Sequence, residues 1–150
     1  MLFRSVDPAF GLGISSFEHI EGAAFDKNGN MWIADEDGGK VYKFLANQLS
    51  GAGLSNNPTP AVVLSPTAES GQQCTQSLDS PYGVAVDSKG NLFVVNAGDT
   101  GPNCVGSLAK FSSKSITASG SPVPVVFISS NASGTNLDFS GYPIFGPSIP

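Results

Sequence analysis

Short apolar runs alternate with polar turns along this chain, and the whole pattern occurs twice. The segment from Gly22 to Asp35 returns as Gly83 to Asn96, 61 residues later. Each copy has a small apolar run, an Asp, two polar residues, Gly-Asn, and a second apolar run that ends in Asp or Asn. Such runs around an Asp- and Gly-containing turn predict β-hairpins. A repeat of this length indicates an array of one supersecondary unit.

Two further apolar runs follow each hairpin at matching positions. They predict four strands in each copy, near residues 22–26, 31–35, 40–44 and 61–65, and then 83–87, 92–96, 107–111 and 124–129. Tandem four-stranded antiparallel meanders are typical of β-propeller blades. We therefore predict an all-β fold of propeller blades, either incomplete or completed by assembly.

The repeat also suggests how the chain is organised. Residues 1–17 are a lead-in, 18–66 and 67–130 are blades, and 131–150 are the start of another blade or a tail. Propellers close with about four to eight blades. Two blades therefore leave three interpretations: a fragment of a longer propeller, self-association of part-propellers into a ring, or an open stack with a purely structural role.

Charge and composition limit the classes of binding partner that are expected. The chain has 12 acidic and 7 basic residues and a net charge of −5, which argues against a nucleic-acid partner. No apolar run approaches the length of about 20 residues that a membrane span needs. The first residues lack the apolar segment of a signal peptide, so an export signal has been removed or the chain is cut from a longer gene.

The two cysteines, Cys74 and Cys104, lie in loops that precede the first strand and follow the second strand of the second copy. Because these loops belong to one end of a blade, we predict a disulfide between them, with two buried thiols as the alternative. A disulfide favours an oxidising compartment, so we expect an extracellular or periplasmic protein.

The loops that precede each first strand and follow each second strand should emerge at one end of the blades, opposite the hairpin turns. We call this end the loop end. Its polar candidates are Glu18, His19, Glu21, Asp35, Glu36, Asp37, Asp79, Tyr82, Asn96 and Asp99. Carboxylate and amide oxygens are ligands for hard cations. We predict Glu21, Asp35 and Asn96 as the metal-ligating set, nearer the channel axis than Asp26 and Asp87, which belong to the hairpin turns.

The sequence of the second copy resembles the NHL family of repeats, from Pro81 to Asn96 and again from Leu108 to Phe111. That resemblance implies a propeller and leaves the function open. The leading hypothesis is a non-catalytic module of an exported protein that binds a protein or a glycan through Glu18, His19, Asp37, Tyr82 and Asp99, and through long loops such as 112–122.

The first copy, from His19 to Phe44, also resembles the opening blade of the SMP-30/gluconolactonase family. That family begins with a Glu-Gly motif whose Glu binds a divalent cation, which implies that Glu21 is a ligand of calcium or another divalent cation. The alternative function is therefore metal-dependent lactone hydrolysis. His19 is the only histidine and no Gly-x-Ser-x-Gly turn is present, so no residue is assigned as catalytic.

Overall fold

The described residues form two four-stranded antiparallel sheets. The structure is a computed structural model that describes residues 17–49, 58–66, 77–98 and 106–129. In both sheets the strands lie side by side in chain order. The first sheet contains β1 (Ile20–Phe25), β2 (Met31–Asp35), β3 (Lys40–Phe44) and β4 (Val62–Leu64). The second contains β5 (Pro81–Val86), β6 (Leu92–Asn96), β7 (Ser107–Phe111) and β8 (Val126–Ser129).

These strands confirm the predicted all-β fold and the four-strand correspondence between the copies. Every predicted strand is present, and each boundary agrees within two residues. The described segments contain no α-helix; a 3-10 turn at Ala46–Gln48 follows β3. The cysteines, Asp99 and residues 131–150 lie outside the described residues, so the disulfide and the predicted further blade remain predictions.

The hairpin turn of each copy is held by its first Asp. Asp26 Oδ1 accepts hydrogen bonds from the backbone N–H groups of Asn28 (2.9 Å) and Asn30 (3.1 Å), and Oδ2 accepts one from the Asn30 side chain (2.8 Å). Gly29 adopts a φ of 77°, a conformation that glycine reaches without strain. The second copy repeats these bonds and this φ with Asp87, Lys89, Gly90 and Asn91. The side chains of Asp26 and Asp87 thus stabilise the hairpin turns.

The glycine that opens each repeat is explained by packing between the two sheets. Strand β1 lies against β5. A Cβ added at Gly22 would lie 2.8 Å from the carbonyl oxygen of Tyr82 and 3.0 Å from the Cα of Gly83. Only glycine allows this approach without a shift of backbone. Gly22 and Gly83 are equivalent positions of the repeat, so the first strands of the two units approach each other most closely at the same level.

One hydrophobic core lies between the sheets. Its buried members are Trp32, Ala34, Val41, Val62 and Leu64 from the first unit, and Leu78, Val84, Leu92, Val94, Ala109, Phe111 and Ile116 from the second. A smaller cluster, Ile33, Tyr42 and Phe44, covers the opposite side of the first sheet together with Phe17, Met31, Leu49 and Val63. Trp32 thus packs between the two units.

The loop between β7 and β8 crosses to the first unit. The Gly120 N–H donates to the Val63 carbonyl oxygen (3.0 Å), and the Ser65 N–H donates to the Gly120 carbonyl oxygen (2.9 Å). Ser119 Oγ accepts from the Val63 N–H (2.9 Å), and Ile116 is buried in the shared core. This loop therefore covers part of edge strand β4, which sheets commonly protect. The sequence predicts a recognition loop at 112–122, and in the structure this loop bridges the two units.

Candidate functional site

The loop end of the described chain consists of residues 17–19, 36–39, 77–80 and 97–98. Antiparallel order places these loops together, because β1 and β5 begin where β2 and β6 end. Backbone bonds tie them pairwise: the Glu36 N–H donates to the His19 carbonyl oxygen (2.8 Å), and the Ala97 N–H donates to the Ser80 carbonyl oxygen (2.9 Å). The predicted loop-end candidates with described positions therefore share one end of the sheets.

Asp35 holds the loop end of the first unit together. It closes β2 and is fully buried. Its Oδ1 accepts backbone N–H bonds from His19 (2.8 Å), Glu18 (3.2 Å) and Gly38 (3.4 Å). Hydrogen bonds to an ionised carboxylate are among the stronger ones in proteins. The same carboxylate reaches Tyr42: burial raises the pKa of the Tyr42 hydroxyl, and the charge of Asp35 and its hydrogen bond raise it further.

Asn96 has the same role in the second unit. It is fully buried, and its Oδ1 accepts from the Asp79 N–H at 3.2 Å. Its Nδ2 donates to Ser107 Oγ (3.0 Å) and to the Ser77 carbonyl oxygen (3.4 Å). Asp35 and Asn96 are thus loop anchors whose side-chain oxygens are directed at backbone donors. Cation binding by Asp35 and Asn96, expected from the sequence, remains a prediction.

Four ionisable side chains of the first unit converge near Asp35, and we call them the acidic cluster. His19 Nε2 lies 3.1 Å from Glu21 Oε1, and His19 Nδ1 lies 3.5 Å from Glu36 Oε2 and 3.6 Å from Asp37 Oδ2. One ligand atom each from His19, Glu36 and Asp37 lies within 4.8 Å of the others. The structure therefore brings together four of the predicted loop-end candidates, His19, Glu21, Glu36 and Asp37.

Glu36 lies between the other charged side chains of the acidic cluster. Burial raises the pKa of its carboxyl, and the neighbouring carboxylates of Glu21 and Asp37 raise it further, against the lowering effect of His19. The sequence placed Glu36 at the loop end but did not single it out. The sequence feature that could have identified Glu36 is its position directly after Asp35, in the four-residue turn that leads to β3.

The remaining predicted residues are less central. Glu18 is exposed, and its backbone N–H is the atom that Asp35 binds. Tyr82 lies in β5 and presents its carbonyl oxygen to Gly22. Asp99, Cys74 and Cys104 lie outside the described residues.

The chain matches no protein-family model, and no curated protein matches it significantly. The resemblances to the NHL and SMP-30/gluconolactonase families therefore rest on the residues of the repeat itself.

Within the described ranges, no helix has the length and the apolar character needed to cross a membrane.

Proposed function

We propose that this chain is an NHL-like β-propeller module of an exported protein, with two blades that present the loop end to a ligand. The observation that carries the proposal is the repeated anchor: the buried side chains of Asp35 and Asn96 hold equivalent loops through equivalent hydrogen bonds. Loops held on a rigid scaffold are common sites of recognition. The anchors occupy equivalent positions in both copies, whereas the exposed loop residues differ.

The charge of the acidic cluster favours a protein ligand over a neutral glycan. Glu21, Glu36 and Asp37 surround one histidine, and Glu18 lies in the adjoining loop. A surface with this excess of carboxylates is complementary to a segment rich in Lys and Arg, and such complementarity steers association and selects partners. The proposed ligand is therefore a positively charged protein segment.

A peptide-binding experiment tests this proposal. Octalysine is titrated into the protein by calorimetry, with a chitin oligosaccharide as the neutral glycan probe. The double variant Glu36→Gln/Asp37→Asn removes two loop-end charges, and we expect it to weaken octalysine binding about tenfold, since each exposed charge contributes up to about 1 kcal/mol.

The matched control is the double variant Asn28→Lys/Ser88→Lys at the hairpin end. It changes the net charge by the same amount, and lysine already stands at the equivalent turn positions as Lys89 and Lys27. If both double variants weaken octalysine binding equally, the binding depends only on the net charge of the protein and not on the loop end. If the protein binds the oligosaccharide but not octalysine, its ligand is a glycan and not a positively charged protein segment.

A second candidate function is cation-dependent lactone hydrolysis of the SMP-30 type. Its support is the gathering of His19, Glu36 and Asp37, with Glu21 beside them, since carboxylate oxygens ligate calcium and imidazole ligates transition metals. Such an ion could polarise a lactone carbonyl and activate water. Calorimetric titration with calcium tests the first requirement, and absence of heat at millimolar metal removes this candidate for the chain.

A further inference from the structure

The outer edge of β4 is covered by a short segment of the second unit. The Gly120 N–H donates to the Val63 carbonyl oxygen (3.0 Å), and the Val63 N–H donates to Ser119 Oγ (2.9 Å). The segment runs parallel to β4, with its bridge at Leu64. Ile116, four residues before Gly120, is buried in the core that also holds Leu64. The last strand of a unit thus accepts an apolar residue followed by a Ser-Gly pair.

Strand β8 repeats the register of β4. The Val125 N–H donates to the Lys110 carbonyl oxygen at 2.7 Å, and the equivalent bond of the first unit is 2.8 Å long. Phe127 takes the position of Val63 in the strand pairing. Each residue of an antiparallel strand directs both of its backbone groups to the same side, and neighbouring residues alternate. The N–H and the carbonyl of Phe127 therefore point away from β7, as those of Val63 point away from β3.

Among the described residues, no segment covers the outer edge of β8. The strand lies at the end of its sheet, and the isolated bridge at an outer edge belongs to β4. Val126 and Ile128 are 44% and 38% exposed, whereas their counterparts Val62 and Leu64 are 4% and 0% exposed. Phe127, on the other face of β8, is 37% exposed. An open apolar edge of this kind is a template for pairing with another chain segment.

We propose that β8 binds an extended protein segment, which adds to its free edge in parallel as residues 116–121 add to β4. The Ser of the ligand accepts from the Phe127 N–H, and the Gly donates to the Phe127 carbonyl oxygen. An apolar residue before this pair covers Val126 and Ile128. The site lies on the outer edge of the second unit, so it is independent of ligand binding at the loop end.

The ligand needs glycine at its central position. Gly120 has a φ of 152°, a conformation that residues with a side chain rarely adopt. It also needs Ser before that glycine, because Ser119 Oγ is the acceptor for the outward N–H of β4. The ligand is therefore a protein segment with an apolar residue shortly before Ser-Gly, and the chain's own sequence from Lys114 to Pro122 is its probe.

A labelled peptide of that sequence, titrated into the full chain and followed by fluorescence anisotropy, tests the proposal. Phe127→Pro removes the outward N–H, at a position where an edge strand tolerates proline. Phe127→Ala is the matched control, because it loses the same side chain but keeps the N–H. We expect the proline variant to bind the peptide at least tenfold more weakly than the alanine variant.

Variants of the peptide test the assigned ligand groups. The Ser119→Ala peptide loses the acceptor, and the Gly120→Ala peptide disfavours the bound backbone conformation, so each should bind about fivefold to tenfold more weakly. The Lys114→Ala peptide is the control and should bind like the parent. Equal affinities of all four peptides would contradict the assigned bonds.

Hydrogen exchange of the Phe127 amide gives a readout in the wild-type protein, whether or not a variant folds. The peptide should slow this exchange at least tenfold. No binding at millimolar peptide, or equal affinities of the proline and alanine variants, would overturn the proposal. A Phe127 amide that is already protected without peptide would also overturn it. Protection that rises with protein concentration would assign the edge to a second copy, and constant protection would assign it to another segment of the same chain.

Discussion

The backbone N–H of Glu18 donates to Asp35 at 3.2 Å, and the backbone N–H of Asp79, 61 residues later, donates to Asn96 at 3.2 Å. Both acceptors are fully buried and both close the second strand of their unit. This shared contact explains why each repeat ends in Asp or Asn. A short side chain with a carbonyl-type oxygen is required at that position to hold the preceding loop.

We expect Asp35→Ala to destabilise the fold by about 2–3 kcal/mol, because the loop N–H groups that Asp35 binds would lose their acceptor. Asp35→Asn should cost about half as much, since the amide oxygen still accepts and Asn is used at the equivalent position. Denaturant unfolding of the three proteins measures this order. Equal losses for both substitutions would show that the charge of Asp35, rather than its acceptor oxygen, holds the loops.

Local turn chemistry explains why the strands could be predicted. The Asp-x-x-Gly-Asn segments specify their hairpins through bonds between residues two and four positions apart, such as those of Asp26 with Asn28 and Asn30. The contact of Ser119 with Val63 spans 56 positions and depends on how the units stack, which the local pattern does not encode. In the same way, the sequence shows that Asp35 carries oxygens, but not which donors reach them.

Acid should weaken the fold through the two hairpin aspartates. Burial alone would raise the pKa of Asp26 and of Asp87, but the side-chain bonds from Asn30 and Asn91, together with backbone N–H bonds, lower the net pKa below the ordinary value of 3.8. A lowered folded pKa contributes stability that is present above the unfolded value and is lost as the pH falls through the folded one.

We therefore expect the free energy of unfolding to fall as the pH drops below about 3.8. Denaturant titrations at a series of pH values measure this loss. In Asp87→Asn, which keeps the shape but not the charge, the decline should be shallower. An unchanged decline would show that Asp87 does not contribute to it.

Gly22→Ala should loosen the packing between the sheets. The added Cβ would lie 2.8 Å from the Tyr82 carbonyl oxygen, so one backbone must move, at a cost of about 1–3 kcal/mol. Trp32, the only tryptophan, is buried in the shared core and reports the change as a red shift of its fluorescence. Gly29→Ala strains the distant hairpin turn and serves as the control, with unchanged emission. Unchanged emission in Gly22→Ala as well would contradict the close approach of β1 and β5.

Calcium binding, if the second candidate function holds, should depend on Glu21. Glu21→Gln removes a carboxylate 3.1 Å from His19, and we expect it to weaken calcium binding about tenfold, since calcium affinity depends on the number of charged ligands. Calorimetry gives the affinity, and thermal unfolding checks that the variant remains folded. Equal affinities of wild type and Glu21→Gln would exclude Glu21 as a ligand.

The central claim, that the loop end is the binding surface, is tested most directly by nuclear magnetic resonance. Octalysine is added to isotope-labelled protein, and backbone amide shifts are followed for each residue. The account predicts saturable shifts concentrated at 17–19 and 36–39, around the acidic cluster, with the hairpin turns at 27–29 and 88–90 unchanged. Shifts centred on the hairpin turns, or no saturable shift at the loop end, would contradict it.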